Sequence, residues 1–76
     1  MKELIEFIVK ALVDDPSSIS IKKVEGDKIT IFELRTAKDD IGKVIGKRGR
    51  TAGAIRTILN AVSARQGKRA VLEIIE

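Results

Sequence analysis

Two glycines bracketing two cations, Gly46-Lys47-Arg48-Gly49, with Arg50 directly after them and the apolar pair Val44-Ile45 directly before, are the residues whose types and spacing best fit a chemical role. Glycine opens backbone conformations closed to other residues and lets a ligand come close to the main chain, while lysine and arginine draw in negative charge. Set just ahead of a helical pattern, such a loop has three sources of affinity for phosphate. These are close backbone approach, the unpaired N–H groups of a helix N-terminus, and the charge of Lys47, Arg48 and Arg50. In the preceding run Ile41-Gly42-Lys43-Val44-Ile45, the aliphatic Ile41, Val44 and Ile45 suit one wall of a narrow groove against which unpaired bases lie. The expected ligand is single-stranded nucleic acid, RNA above all, held by its sugar-phosphate backbone.

Charge points the same way. From Ile41 to Leu72 there is no acidic residue, and Lys43, Lys47, Arg48, Arg50, Arg56, Arg65, Lys68 and Arg69 give +8, whereas the rest of the chain carries −4. A basic half of this kind suits a polyanion, since neutralising phosphates releases counterions. Other glycine-rich motifs fail on spacing. From Gly42 to Lys47 there is one residue too few for a P-loop, and Arg48 stands where the magnesium-binding hydroxyl belongs. A dinucleotide fingerprint would need glycine at Val44. The chain has no histidine and no cysteine, and Asp14-Asp15 and Asp39-Asp40 read as helix punctuation rather than as a carboxylate pair. No enzymatic activity, cofactor or metal site is expected.

The elements that must hold the loop follow from periodicity. At 76 residues the chain is expected to be a single domain spanning 1–76. Glu3, Glu6 and Lys10 interrupt its first apolar run too often for a secretory or membrane segment, which points to the cytoplasm. Leu4, Ile5, Ile8, Val9 and Leu12 predict a helix from Lys2 to Asp14, stopped by Asp15-Pro16. Phe7, Ala11 and Val13 widen its apolar stripe, and both phenylalanines, Phe7 and Phe32, are expected in the core. The β-branched stretches Ile19 to Glu25 and Lys28 to Arg35 predict a hairpin with a type II′ turn at Gly26-Asp27, setting Ile21 opposite Phe32 and Ile19 opposite Leu34. A brief helix capped by Asp39 or Asp40 runs through Ile45. A second helix runs from Arg50 or Thr51 to about Arg65, with Ile55, Ile58, Leu59 and Val62 as its apolar face, and a last strand covers Ala70 to Ile75. The order α-β-β-α-α-β predicts an α+β fold: a three-stranded mixed sheet, its second and third strands parallel, with three helices on one face.

Val44-Ile45-Gly46-Lys47-Arg48-Gly49 resembles the I-G-x-x-G signature of KH domains, whose GXXG loop clamps about four nucleotides of single-stranded RNA. The element order resembles the type II, bacterial form of that fold over essentially the whole chain. The run GKRGRTAGAIRTI and the chain length are similar to the small stand-alone KH proteins of bacteria, the KhpA-like RNA-binding proteins. The resemblance implies a low-specificity RNA chaperone or post-transcriptional regulator, partnered with itself or with a second, larger KH-containing protein. Many KH domains carry a bulky aliphatic where this chain has Ala52. With no Trp or Tyr there is no stacking platform, so micromolar, salt-sensitive binding is expected. Two alternatives share parts of the pattern. A helix-turn-helix DNA binder also places glycine before a basic helix, but Arg50, Thr51, Gly53 and Ala54 make a poor reading head. A protein-interaction module would use the basic loop only as a solvated turn.

Overall fold

Along Ile29–Arg35 every second residue, Thr30, Phe32 and Leu34, is buried, and this alternation makes the segment the middle strand of the fold. In the computed structural model, which describes residues Met1–Glu76, that strand (β2) pairs antiparallel with β1 (Ser20–Glu25) and parallel with β3 (Arg69–Ile75). Helix α1 (Lys2–Leu12) precedes the hairpin, and α2 (Ile41–Ile45) and α3 (Arg50–Ala64) form the crossover from β2 to β3. The α-β-β-α-α-β order and the mixed three-stranded sheet are those expected. Ile21, Phe32, Leu34, Ala70 and Leu72 on one sheet face join Ile5, Val9, Val44, Ile55 and Leu59 of the helices in a single core.

The hairpin turn lies one residue later than its sequence suggests. Gly26 N–H bonds the Ile29 carbonyl at 2.8 Å, so Asp27 and Lys28 occupy the turn, and Gly26 does not take the positive φ that a type II′ turn starting there requires. Ile21 therefore faces Leu34, and Lys23 faces Phe32. Because the partners shift by two residues, each side chain keeps its face, and the core set survives the change of register.

Helix α1 ends at Leu12, not Asp14, because the next amides are drawn elsewhere. The N–H groups of Asp14 and Asp15 donate to the two carboxylate oxygens of Asp40, at 3.2 and 3.0 Å. Asp40 stands at the N-cap of α2 but makes no side-chain cap bond. Only 2% exposed, it ties the end of α1 to the start of α2 instead. The wide apolar stripe of α1 is also not fully covered. Ile5 and Val9 are buried, whereas Phe7, expected in the core, is 75% exposed. At about 100° per residue Phe7 points away from both, so one sheet contact cannot cover all three. The stripe of α3 is rotated likewise: Ala52, Ile55, Leu59 and Ser63 are buried, while Ile58 and Val62 face outward. Left-handed Gly67 ends this helix, with Gly67 N–H bonded to the Ala64 carbonyl and Lys68 N–H to that of Ser63.

Candidate nucleic-acid interface

The loop between α2 and α3 is a tight turn with three positive φ values. Gly46 N–H closes α2 on the Gly42 carbonyl at 2.9 Å, and Gly46 then takes φ 77° and ψ 171°, a region essentially reserved for glycine. Arg48 (φ 60°) and Gly49 (φ 73°) are left-handed, so the turn holds one non-glycine residue in a conformation that costs on the order of 1 kcal/mol. Gly49 N–H bonds the Gly46 carbonyl at 3.1 Å, and Arg50 N–H bonds that of Lys47. Two amides expected to be free at the start of α3 are thus engaged within the turn. Attraction for an anion rests more on close approach and side-chain charge than on a bare helix end.

The cations divide into two groups. Lys47, Arg48 and Arg50 are exposed and take part in none of the five ion pairs of the structure. Lys43 is held by Asp14 and, at 3.4 Å, by Asp40, and these carboxylates raise its pKa, Asp14 foremost. Its charge is spent on the α1–α2 junction. Lys68 pairs with Glu25 at 3.2 Å beside the hairpin turn. Together with Arg69 it stands at the start of β3, about 20 Å of strand from the far end of the sheet.

The apolar residues divide too. Val44 is fully buried and belongs to the core, so it does not line an open groove. Ile41, Gly42 and Ile45 line a groove of about 770 Å³ with Thr36, Lys38 and Glu76, where the parallel strands β2 and β3 end. Of the sequence-selected residues, Gly46 to Arg50 form the loop, Ile41, Gly42 and Ile45 form the groove wall, and Val44 and Lys43 turn to other tasks.

Sequence reasoning did not separate out the rim formed by α3 and β3. Arg69 N–H bonds the carbonyl of Lys28, the residue just before β2, so in this parallel pairing Ala70, Leu72 and Ile74 turn their backbone groups to the free edge. Two α3 side chains reach that edge. Asn60 Oδ1 accepts from Ala70 N–H at 3.3 Å, and the Leu72 carbonyl accepts from Arg56 Nε at 3.4 Å and Nη2 at 3.2 Å. The i, i+4 spacing of Arg56 and Asn60 was a readable signal, but only once the strand beneath them was placed.

This order of elements, with a Gly-x-x-Gly turn joining the two crossover helices, is that of a type II KH domain. The model of the KhpA/KhpB KH domain matches residues 2–74, and the chain belongs to that family. It is 53% identical over 74 residues to the RNA-binding protein KhpA of Borreliella burgdorferi, covering 97% of this chain and 90% of that protein. Its identity to the RNA-binding protein KhpA of Clostridium acetobutylicum is 49% over 75 residues, covering 99% and 100%. For the protein of that name from Aquifex aeolicus it is 46% over 76 residues, covering 100% and 96%. No solved structure matches. No helix is long and apolar enough to cross a membrane.

Proposed function

We propose that this chain binds single-stranded RNA, clamping the sugar-phosphate backbone with the Gly46 to Gly49 turn, and acts as a low-specificity RNA chaperone or post-transcriptional regulator. The observation that carries the reading is the placement of three unpaired cations, Lys47, Arg48 and Arg50, on and beside a positive-φ turn that adjoins the α2 wall of a groove to which Ile41 and Ile45 contribute. Ile41 and Ile45 supply a surface for bases, and the loop supplies charge for phosphates. The names of the relatives, each an RNA-binding protein, support the same ligand class.

The test replaces Lys47 and Arg48 together by Asp, at exposed positions where the fold is expected to survive. Loss of binding to a single-stranded RNA, with an unchanged circular-dichroism spectrum, is the expected result; unchanged affinity overturns the clamp. One salt series comparing that RNA with duplex DNA separates the reading from a helix-turn-helix, which would favour the duplex.

The outward-facing Leu4 and Phe7 of α1 and Ile58 and Val62 of α3 support the further expectation that the chain associates with itself or with a second KH-containing protein, with a second copy of this chain as the occupant to test first. Light scattering gives its mass. A monomer across the micromolar range redirects these surfaces toward a different KH-containing protein.

A further inference from the structure

Successive residues of a strand point to opposite faces, so the strands that give Phe32, Leu34 and Leu72 to the core give a second set of side chains to the face without helices. The register places that set in rows. Val24, Ile31 and Val71 stand side by side across the sheet, and Ile29 lies one row nearer the hairpin turn, beside Arg69. One row further from the turn come Lys22, Glu33 and Glu73. Val24 and Ile29 are exposed, and Ile31 and Val71 are half-buried. The Gly46 to Gly49 loop and the outward faces of α1 and α3 belong to the helix layer, so RNA on the loop or a second copy on those helices leaves this face open.

The row of charges is not explained by the fold. Glu33 and Glu73 are register partners on adjacent strands, where like charges repel. Neither enters any of the five ion pairs of the structure, nor does Lys22, the neighbour of Glu33 on β1. A cation at position 73 would turn the repulsion into a cross-strand attraction, yet the chain sets two carboxylates beside its uncovered aliphatic row.

The dimensions of the strip select its occupant. From outer strand to outer strand it is about 10 Å across, the width of one helix with its side chains. Rows on one face of a strand recur about every 6.7 Å, so the aliphatic row lies about 6.7 Å and the carboxylates about 13 Å from Ile29. A helix laid along the strands presents residues i, i+3 and i+4, and i+7 and i+8 on one face, at about 0, 5–6 and 11–12 Å. A second copy fits less well, because a two-fold axis along β2 sets Glu33 against Glu33.

We propose that the outer face of the sheet is a docking surface for an amphipathic helix of another protein, whose aliphatic side chains cover Ile29 and the row of Val24, Ile31 and Val71 and whose cations pair with Glu33 and Glu73. Apolar contact supplies the attraction. The carboxylate pair selects a basic flank and fixes which way the helix lies, since only one end of the strip is acidic.

The experiment titrates the ¹⁵N-labelled chain with a synthetic peptide of about eighteen residues, built on alanine and glutamine, with leucine at i, i+3 and i+4 and arginine at i+7 and i+8. Amide shifts are expected at Val24, Ile31, Glu33, Val71 and Glu73, with a dissociation constant of about 100 µM for so small a contact. Glutamate in place of the two arginines is expected to weaken binding about fivefold, and serine in place of the leucines to abolish it. Glu73→Lys, at an exposed position, is expected to raise Tm and to remove the preference for the basic peptide. The peptide comparisons on the wild type need no variant. Absence of shifts on this face up to millimolar peptide overturns the assignment, as does equal binding of the arginine and glutamate peptides or binding that survives the loss of leucine. A lower Tm for Glu73→Lys assigns the carboxylate to the fold and also overturns it. Two controls complete the test: shifts of the same amides on diluting the wild type would give the face to a second copy, and shifts on adding octauridylate would give it to RNA, and either result overturns the helix as occupant.

Discussion

The Thr51 side chain occupies the space in which a side chain on Gly46 would begin. A Cβ built on Gly46 falls 2.6 Å from Thr51 Cβ and 2.9 Å from the Thr51 backbone nitrogen. The first turn of α3 is thus packed against the residue that ends α2, and this contact sets how sharply the chain folds back at the loop. Gly49 differs: its left-handed φ of 73° asks for glycine, but an added Cβ would meet nothing within 4 Å.

The two loop glycines should therefore respond differently to substitution. Gly46→Ala must displace Thr51 and hold alanine at φ 77° and ψ 171°, and is expected to destabilise by about 2 kcal/mol or more. That lowers Tm by roughly 10 °C in a chain of this size. Gly49→Asn places a residue that tolerates the left-handed region in open space, with an expected loss under about 1 kcal/mol. Thermal melts of the two variants, side by side, check the order.

Lys43 and Lys47 stand four residues apart and are expected to separate in a salt titration. Each phosphate neutralised on a single strand contributes about −0.7 to the slope of log K against log salt concentration. Lys47→Ala should reduce the magnitude of that slope by about this amount and leave Tm unchanged. Lys43→Ala should leave the slope nearly intact and lower Tm, because it strips a partner from Asp14 and Asp40 at the α1–α2 junction. Fluorescence anisotropy across a potassium chloride series, with melts on the same samples, gives both quantities.

The pKa of Asp40 is held below the ordinary carboxylate value chiefly by the Asp14 N–H, with the Asp15 N–H and Lys43 adding to the effect. A depressed folded-state pKa contributes stability that is present above the unfolded value, about 4, and is lost as pH falls through the folded one. The urea midpoint of the wild type should exceed that of Asp40→Asn at neutral pH, and the gap should close on acidification. Asp15, held low by Ser17 and Ser18, and Glu25, held low by Lys23 and Lys68, titrate in both proteins, so the difference curve reports Asp40. A gap that stays constant down to pH 2 would mean that the charge of Asp40 contributes nothing beyond its shape.

Most of the architecture was legible because periodicity carries it. The alternation in Ile29–Arg35, the stop at Asp15-Pro16 and the Gly-Lys-Arg-Gly turn each have a local physical cause that a sequence displays. What escaped were choices between nearly equivalent local solutions. Gly26 could open or precede the turn, and the pairing of Gly26 with Ile29 decided it. Asp40 carries the signature of an N-cap, yet two amides 25 and 26 residues away take its oxygens. Val44 and Ile45 are neighbours of equal apolarity, and only the direction of a five-residue helix sends one into the core and the other to the groove. Arg56 reads as one more surface cation until the free edge of β3 lies beneath it.

The two phenylalanines are the sharpest case of this limit, and they can be told apart by stability alone. Phe32 is fully buried at the centre of the sheet, and Phe32→Ala is expected to cost about 3–5 kcal/mol, enough to unfold much of the population of so small a chain. Phe7 is three-quarters exposed on α1, and Phe7→Ser is expected to change stability by no more than about 0.5 kcal/mol, since serine and phenylalanine have similar helix propensities and little area leaves water-excluded packing. Urea denaturation at low micromolar concentration measures both. Repeating the Phe7→Ser curve at high concentration adds the association test: a self-associating wild type gains stability with concentration by mass action, and the variant loses that gain if Phe7 lies in the contact. A large loss for Phe7→Ser already at low concentration would show that Phe7 is covered in the folded monomer and would return it to the core.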